Sequence, residues 1–293
     1  MSARLKGTGI AIITPFKKDG SIDYPALENL VQYWIKGGVE YLVVMGTTGE
    51  SVTLTKDEKK ELLAFVIEKV NGKIPVVVGV GGNNTAEVVE TLKTMDLSKV
   101  EAILSVAPYY NKPNQQGYFE HFMQVAEASP KPIILYNVPG RTGSNMTAAT
   151  TLKLANAHKN IIAIKEASGN MEQITDIIIG KPEHFMVISG DDNLTLPIIA
   201  SGGKGVISVV ANANPYEFSE MVRFCLADEL DEARKLHYKL FDFTKNIFLD
   251  GNPGGIKAAM YKKGLCENIV RTPLAPVNNE VYEKIIRSVE KIG

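Results

Sequence analysis

Eight short apolar segments, rich in Val and Ile, recur along the chain with stretches of helical periodicity between them, and no other feature narrows the possible folds so far. They span residues 8–13, 41–45, 75–79, 102–107, 133–136, 161–165, 186–189 and 205–209. Near-continuous hydrophobic runs of this length mark parallel strands covered on both faces. The intervening segments, such as 24–36 and 57–70, repeat apolar residues at three- and four-residue spacing, as amphipathic helices do. Eight copies of one βα unit predict a closed (β/α)8 TIM barrel of the α/β class. An open doubly wound sheet is the alternative, but it favours a Gly-rich dinucleotide turn, and no GxGxxG or P-loop is present.

After about residue 214 the strand signal stops, and the chain reads as helix, turn and helix. One of these helices, 257–263, follows a breaker, "NPGG" at 252–255. The expected division is a barrel over 1–225 and an appended C-terminal helical segment over 226–293 that includes the last barrel helix.

The 45% hydrophobic content permits a large core, and a net charge of −1 without long like-charge blocks gives nucleic acid or an anionic membrane nothing to attract. No apolar run approaches the roughly 20 residues that span a bilayer. The opening "MSARLKGTGIAIITPFKKDG" reads as a first strand rather than a leader. Cys225 and Cys266 fall in segments of helical pattern without CxxC spacing, which suits a reducing cytoplasm and suggests neither disulfides nor zinc. His121, His158, His184 and His237 lack metal-ligand spacing, so a metal-dependent aldolase is disfavoured. Asp191 and Asp192 fit loop solvation or a helix cap better than an ion site.

Reactive groups of a βα barrel sit where strands end and loops open. Those ends read "MGTTGES", "VAPYYNKPN", "LYNVPGRTG", "IKEASGN", "SGDDN" and "ISVVANANP". Lys165 is the most telling residue, because an isolated ammonium in apolar surroundings costs several kcal/mol. Desolvation favours the neutral amine, whose lone pair can attack a carbonyl and form a Schiff base. The same segment also fits a lysine that snorkels to solvent or pairs with Glu166. "GTTGES" brings backbone N–H groups together at a turn suited to a carboxylate, with hydroxyls from Thr47 and Thr48, and with Glu50 and Ser51 free to begin the next helix. Tyr136 could relay protons and Arg141 could clamp a carboxylate, though each also fits an ordinary structural role. Tyr109 and Tyr110, between Pro108 and Pro113, suit a subunit contact, a lid or a packing patch.

Taken together, "GTTGES", "YYNKP", "YNVPGRTG", "IKEASG", "SGDD" and "GVISVVAN" resemble, end to end and in order, the dihydrodipicolinate synthase family. That family belongs to the class I aldolase superfamily that includes N-acetylneuraminate lyase. The resemblance implies condensation of pyruvate with L-aspartate 4-semialdehyde, in lysine and diaminopimelate biosynthesis, without an external cofactor or metal. It places Lys165 at the Schiff-base position, Tyr136 at the general acid/base, and Thr47 and Tyr110 in a proton relay. Tyr110 is then expected to reach into a neighbouring subunit's site, in a dimer or a dimer of dimers (a homotetramer). Thr48, Gly190 and Ile207 fall on backbone contacts of the pocket, and Arg141 on the semialdehyde's carboxylate clamp. Ser51, Asn83, Glu87 and Tyr109 match an allosteric lysine site. Lys56 and Lys59 replace that site's histidine pair, so weak or absent lysine inhibition is expected. A sister lyase and a catalytically dead barrel are the rivals; Arg141 and the filled reactive positions weigh against them.

Overall fold

β-branched side chains are stiff in helices and pack well on a pleated surface, and the segments richest in them form the strands. The computed structural model describes residues 2–293. In chain order the elements are β1 (Gly7–Ala11), α1 (Tyr24–Lys36), β2 (Tyr41–Val44), α2 (Lys56–Val70), β3 (Val76–Gly79), α3 (Thr85–Thr94), β4 (Ala102–Val106) and α4 (Gln115–Ala128). They continue with β5 (Ile133–Asn137), a short α5 (Pro139–Thr142), α6 (Ala148–Ala157), β6 (Ile161–Glu166), α7 (Met171–Gly180), β7 (Met186–Ser189), α8 (Thr195–Ala200) and β8 (Gly205–Ser208). The last four are α9 (Pro215–Leu226), α10 (Leu230–Asn246), α11 (Gly254–Lys262) and α12 (Asn279–Ile292). All eight expected strands are present.

The strands form a closed parallel barrel in sequence order, with β1 pairing to both β2 and β8. Gly7 lies opposite Gly205 at the closing seam, where a Cβ on Gly205 would collide with the Gly7 backbone. Helix starts follow local capping chemistry: Asp23 accepts from Ala26 N at α1, and Thr55 and Glu58 form a capping box at α2.

Two apolar layers result. Tyr41, Val43, Leu104, Ile134, Ile188 and Ile207 fill the lumen. Between strands and helices lies a larger layer that includes Trp34, Phe122, Ile164 and Phe218, each such side chain stabilising the fold by about 1.5–3 kcal/mol when fully buried. Because strand side chains alternate, Ala163 and Lys165 of β6 face the lumen while Ile164 and Glu166 face the helices.

Three readings of the C-terminal third need correction. The helix covering β8 and β1 is α9 (Pro215–Leu226), so the last barrel helix ends at residue 226, where the appended segment was expected to begin. "NPGG" does not delay α11 until residue 257, because the helix begins at Gly254; Gly255 lies so close to the Ile247 carbonyl that a Cβ would collide with it. Cys225 lies in α9, but Cys266 lies in the turn after α11. Burial pushes both thiols up, to about 11 and about 12. No helix among the described residues is long and apolar enough to cross a membrane.

Candidate active site

The register of β5 on β6 sets Tyr136 beside Lys165, both pointing into the lumen near its C-terminal rim. Lys165 is 4% exposed and Tyr136 6%, and the lysine Nζ stands 4.4 Å from the phenol ring's centre. Among the described residues no carboxylate lies within ion-pair distance of Nζ. A Cβ on Gly190 would come within 3.0 Å of Lys165 Cε and 2.6 Å of Ala167 Cβ, so glycine there leaves room for the lysine stem. Burial pushes the neighbouring Asp191 carboxyl up, and the Lys165 charge opposes that push.

Glu166 does not pair with Lys165, because it projects from the opposite face of β6. It is buried and accepts hydrogen bonds from Asn137 Nδ2 (3.1 Å), Ser168 N (2.8 Å) and Gln173 Nε2 (3.2 Å). Burial raises its pKa.

The "GTTGES" loop is locally strained: Met45 (φ 59°) and Glu50 (φ 52°) are both left-handed, a conformation that non-glycine residues keep only where their surroundings impose it. Thr47 is half-buried, and Thr48 is buried with its hydroxyl accepting from Asn252 Nδ2 at 3.0 Å. Glu50 and Ser51 do not begin the next helix. Ser51–Thr53 is a 3-10 turn, and α2 starts at Lys56. Glu50 instead turns inward and accepts from Lys257 Nζ at 2.6 Å.

Arg141 sits exposed on α5, its guanidinium 3.4 Å from the Asn252 carbonyl. Ile207 lines the lumen on β8, and Gly190 follows β7. Thr47, Tyr136 and Arg141 share one groove of about 1900 Å³ that runs out over α2 and α3, where Ser51, Asn83, Glu87, Tyr109, Lys56 and Lys59 line it. Burial and the neighbouring Lys56 charge both push the Lys59 amine down.

Tyr110 stands apart. It is 88% exposed and left-handed (φ 73°), and no hydrogen bond joins it to Tyr136 or Thr47 within the protomer. The loop behind it is anchored where Asn111 Nδ2 donates to Asn83 O at 2.9 Å.

Three residues near the site have roles that the sequence does not reveal. Asp192 is neither solvated nor a helix cap. Its carboxylate is buried and accepts from Ser208 Oγ (2.5 Å), Val209 N (3.0 Å) and Val210 N (3.3 Å), which fixes the end of β8. Burial raises it to about 6. Asn252 and Lys257 were also missed, although Lys257 in "GGIKAAM" carries the signal that singled out Lys165, a lysine within an apolar run.

A lysine and a phenol side by side at the mouth of a closed barrel, with hydroxyls and an arginine around one groove, can form a Schiff base to an oxo acid and move protons beside it. The model of the dihydrodipicolinate synthetase family matches residues 4–292. The 4-hydroxy-tetrahydrodipicolinate synthase of Flavobacterium psychrophilum is 56% identical over 279 residues, covering 95% of each chain. That of Parabacteroides distasonis is 53% identical, covering 96% of this chain and 95% of its own. The crystal structure of dihydrodipicolinate synthase from Aquifex aeolicus superposes with a TM-score of 0.94 at 42% identity, covering 98% of this chain and 97% of its own. That from Cyanidioschyzon merolae, with lysine bound, gives 0.95 at 38%, covering 99% and 98%. On the fold, the lumen lysine with its tyrosine, and a family match that runs nearly from end to end, this chain belongs to the dihydrodipicolinate synthetase family.

Proposed function

We propose that this chain condenses pyruvate with L-aspartate 4-semialdehyde through a Schiff base on Lys165, giving 4-hydroxy-tetrahydrodipicolinate. One observation carries the reading: Lys165 is buried in the lumen beside Tyr136 with no carboxylate paired to it. Its amine attacks the ketone carbon of pyruvate, and water leaves as the C=N bond forms. Loss of a methyl proton gives an enamine, with the iminium nitrogen as electron sink. The enamine carbon attacks the semialdehyde's aldehyde. The product's own amine then adds to the iminium carbon, displaces Lys165 and closes the ring.

Tyr136 carries the protons in this scheme, Thr47 hands them on, and Tyr110 completes the relay from a neighbouring subunit, in a dimer or a dimer of dimers. The exposure of Tyr110 supports that role, since within one protomer its ring has nothing to act on. Backbone at Thr48, Gly190 and Ile207 holds the bound pyruvate unit, and Arg141 receives the semialdehyde's carboxylate in a bidentate clamp. The reaction needs no cofactor from outside. Residues 226–293 form an appended segment on a barrel that works in the cytoplasm. Lysine inhibits weakly or not at all, because Lys56 and Lys59 put two cations beside Ser51, Asn83, Glu87 and Tyr109.

The test is mass spectrometry after borohydride reduction with pyruvate, on the parent and on Lys165→Ala. A pyruvyl adduct on the parent alone is expected. Equal labelling of the variant would move the nucleophile elsewhere.

A further inference from the structure

Glu50 and Lys257 lie 207 residues apart, yet each side chain is fully buried and their charged atoms meet at 2.6 Å. Their other hydrogen bonds tie the "GTTGE" loop to the segment that follows α11. Glu50 Oε2 accepts from Arg271 N at 2.9 Å, and Lys257 Nζ also donates to the Ile269 carbonyl at 2.8 Å. The lysine Nζ lies 4.2 Å from the centre of the Phe16 ring. Just before α11, Asn252 donates to the Thr48 hydroxyl at 3.0 Å, while its carbonyl faces Arg141. On the other side the Thr14 hydroxyl donates to Gly49 O at 2.7 Å. The loop lies beyond the end of β2, where no strand ladder holds it. Its left-handed Glu50 is kept in place by these side chains instead.

Stability alone is a poor reason for such a pair. Two charges moved from water into a dry interior lose their hydration, and an apolar pair of similar volume is often as stable or more so. What an ion pair with fixed partners adds is geometry. We infer that Glu50 and Lys257 are positioning residues: the pair fixes the loop so that the N–H groups around Thr48 converge on the pyruvate carboxylate. The connection through Asn252 sets Arg141 in the same frame. This inference rests on the proposed assignment of Thr48 to that carboxylate.

The test measures pyruvate KM, kcat and thermal midpoint for Glu50→Asp and the double variant Glu50→Gln/Lys257→Met, alongside a crystal structure of the parent with pyruvate trapped by borohydride. The double variant leaves no uncompensated buried charge, and Glu50→Asp keeps the charge but draws the loop back by one methylene. The expected result for either folded pair variant is a pyruvate KM raised roughly 10- to 100-fold with kcat within about threefold, as displaced ground-state contacts give. A melting change without a KM change, in either variant, would reduce the pair to a structural one and overturn the inference, provided that the trapped structure shows the pyruvyl carboxylate on the N–H groups around Thr48. If the trapped carboxylate lies away from those N–H groups, the carboxylate assignment itself fails, and the role inferred for the pair fails with it.

Discussion

Lys165 and Lys257 are both lysines in apolar runs, both buried, and both set against an aromatic face, at 4.4 Å from Tyr136 and 4.2 Å from Phe16. They differ in what the fold supplies at the amine. At Lys257 the joint between α11 and the β2 loop provides a carboxylate at 2.6 Å and a carbonyl at 2.8 Å. At the rim of β6 the fold provides Lys165 with a phenol that itself lines the groove, but no paired carboxylate. Burial pushes the Lys257 amine down, and Glu50 opposes that push. A compensated buried lysine is held in place; an uncompensated one beside a cavity is available to react.

The comparison fails first if the two roles can be exchanged. Lys165→Ala is expected to lower kcat/KM by on the order of 1,000-fold or more with little loss of stability, since no ion pair is broken; steady-state kinetics alongside a denaturant titration checks both halves. Lys257→Met alone should do the reverse in stability, costing about 3–5 kcal/mol because Glu50 is left buried without its partner. A urea midpoint unchanged from the parent would contradict that.

Asp192 sharpens the contrast from the acid side, as a buried carboxylate with three hydrogen-bond donors and no cation. Its native pKa, raised to about 6 from an ordinary 3.8, means that the folded state holds this proton more tightly than the unfolded state does. Its contribution is therefore fully present below about pH 4 and is lost as the pH rises to about 6, by at most about 3 kcal/mol. Relative to Asp192→Asn, which does not titrate, the parent should lose stability across that window; a flat difference in urea midpoints would remove Asp192 as the cause.

Tyr110→Phe keeps the ring and its packing, and should lower kcat by roughly 10- to 1,000-fold through loss of proton transfer. Full activity would take Tyr110 out of the mechanism. The smallest effect concerns the groove over α2 and α3, where sub-millimolar lysine should leave the rate nearly unchanged. Strong inhibition would show that Lys56 and Lys59 do not repel the ligand.

Much of this molecule could be read in its sequence, and the reasons are local. Hydrophobic period and β-branching set each strand and helix, and Lys165 stood out because one charge interrupts an otherwise apolar strand. Asn252, by contrast, lies in what reads as a helix breaker and gains meaning only where it meets Thr48, 204 residues away in sequence. Glu50 looked like the start of a helix because nothing near it in sequence reveals that Lys257 and Arg271 will fold over it. The left-handed backbone at Met45, Glu50 and Tyr110 was equally hidden, since such conformations are imposed by surroundings rather than chosen by residue type.

By itself, then, the sequence determined the βα rhythm, and with it a barrel whose strand ends carry Lys165, Tyr136, Thr47 and Arg141, because periodicity and side-chain alternation act over a few residues. Only the tertiary structure decided which buried charge would be paired. That depends on closing β1 against β8 and laying α11 over the β2 loop, and so on contacts between residues far apart in the chain.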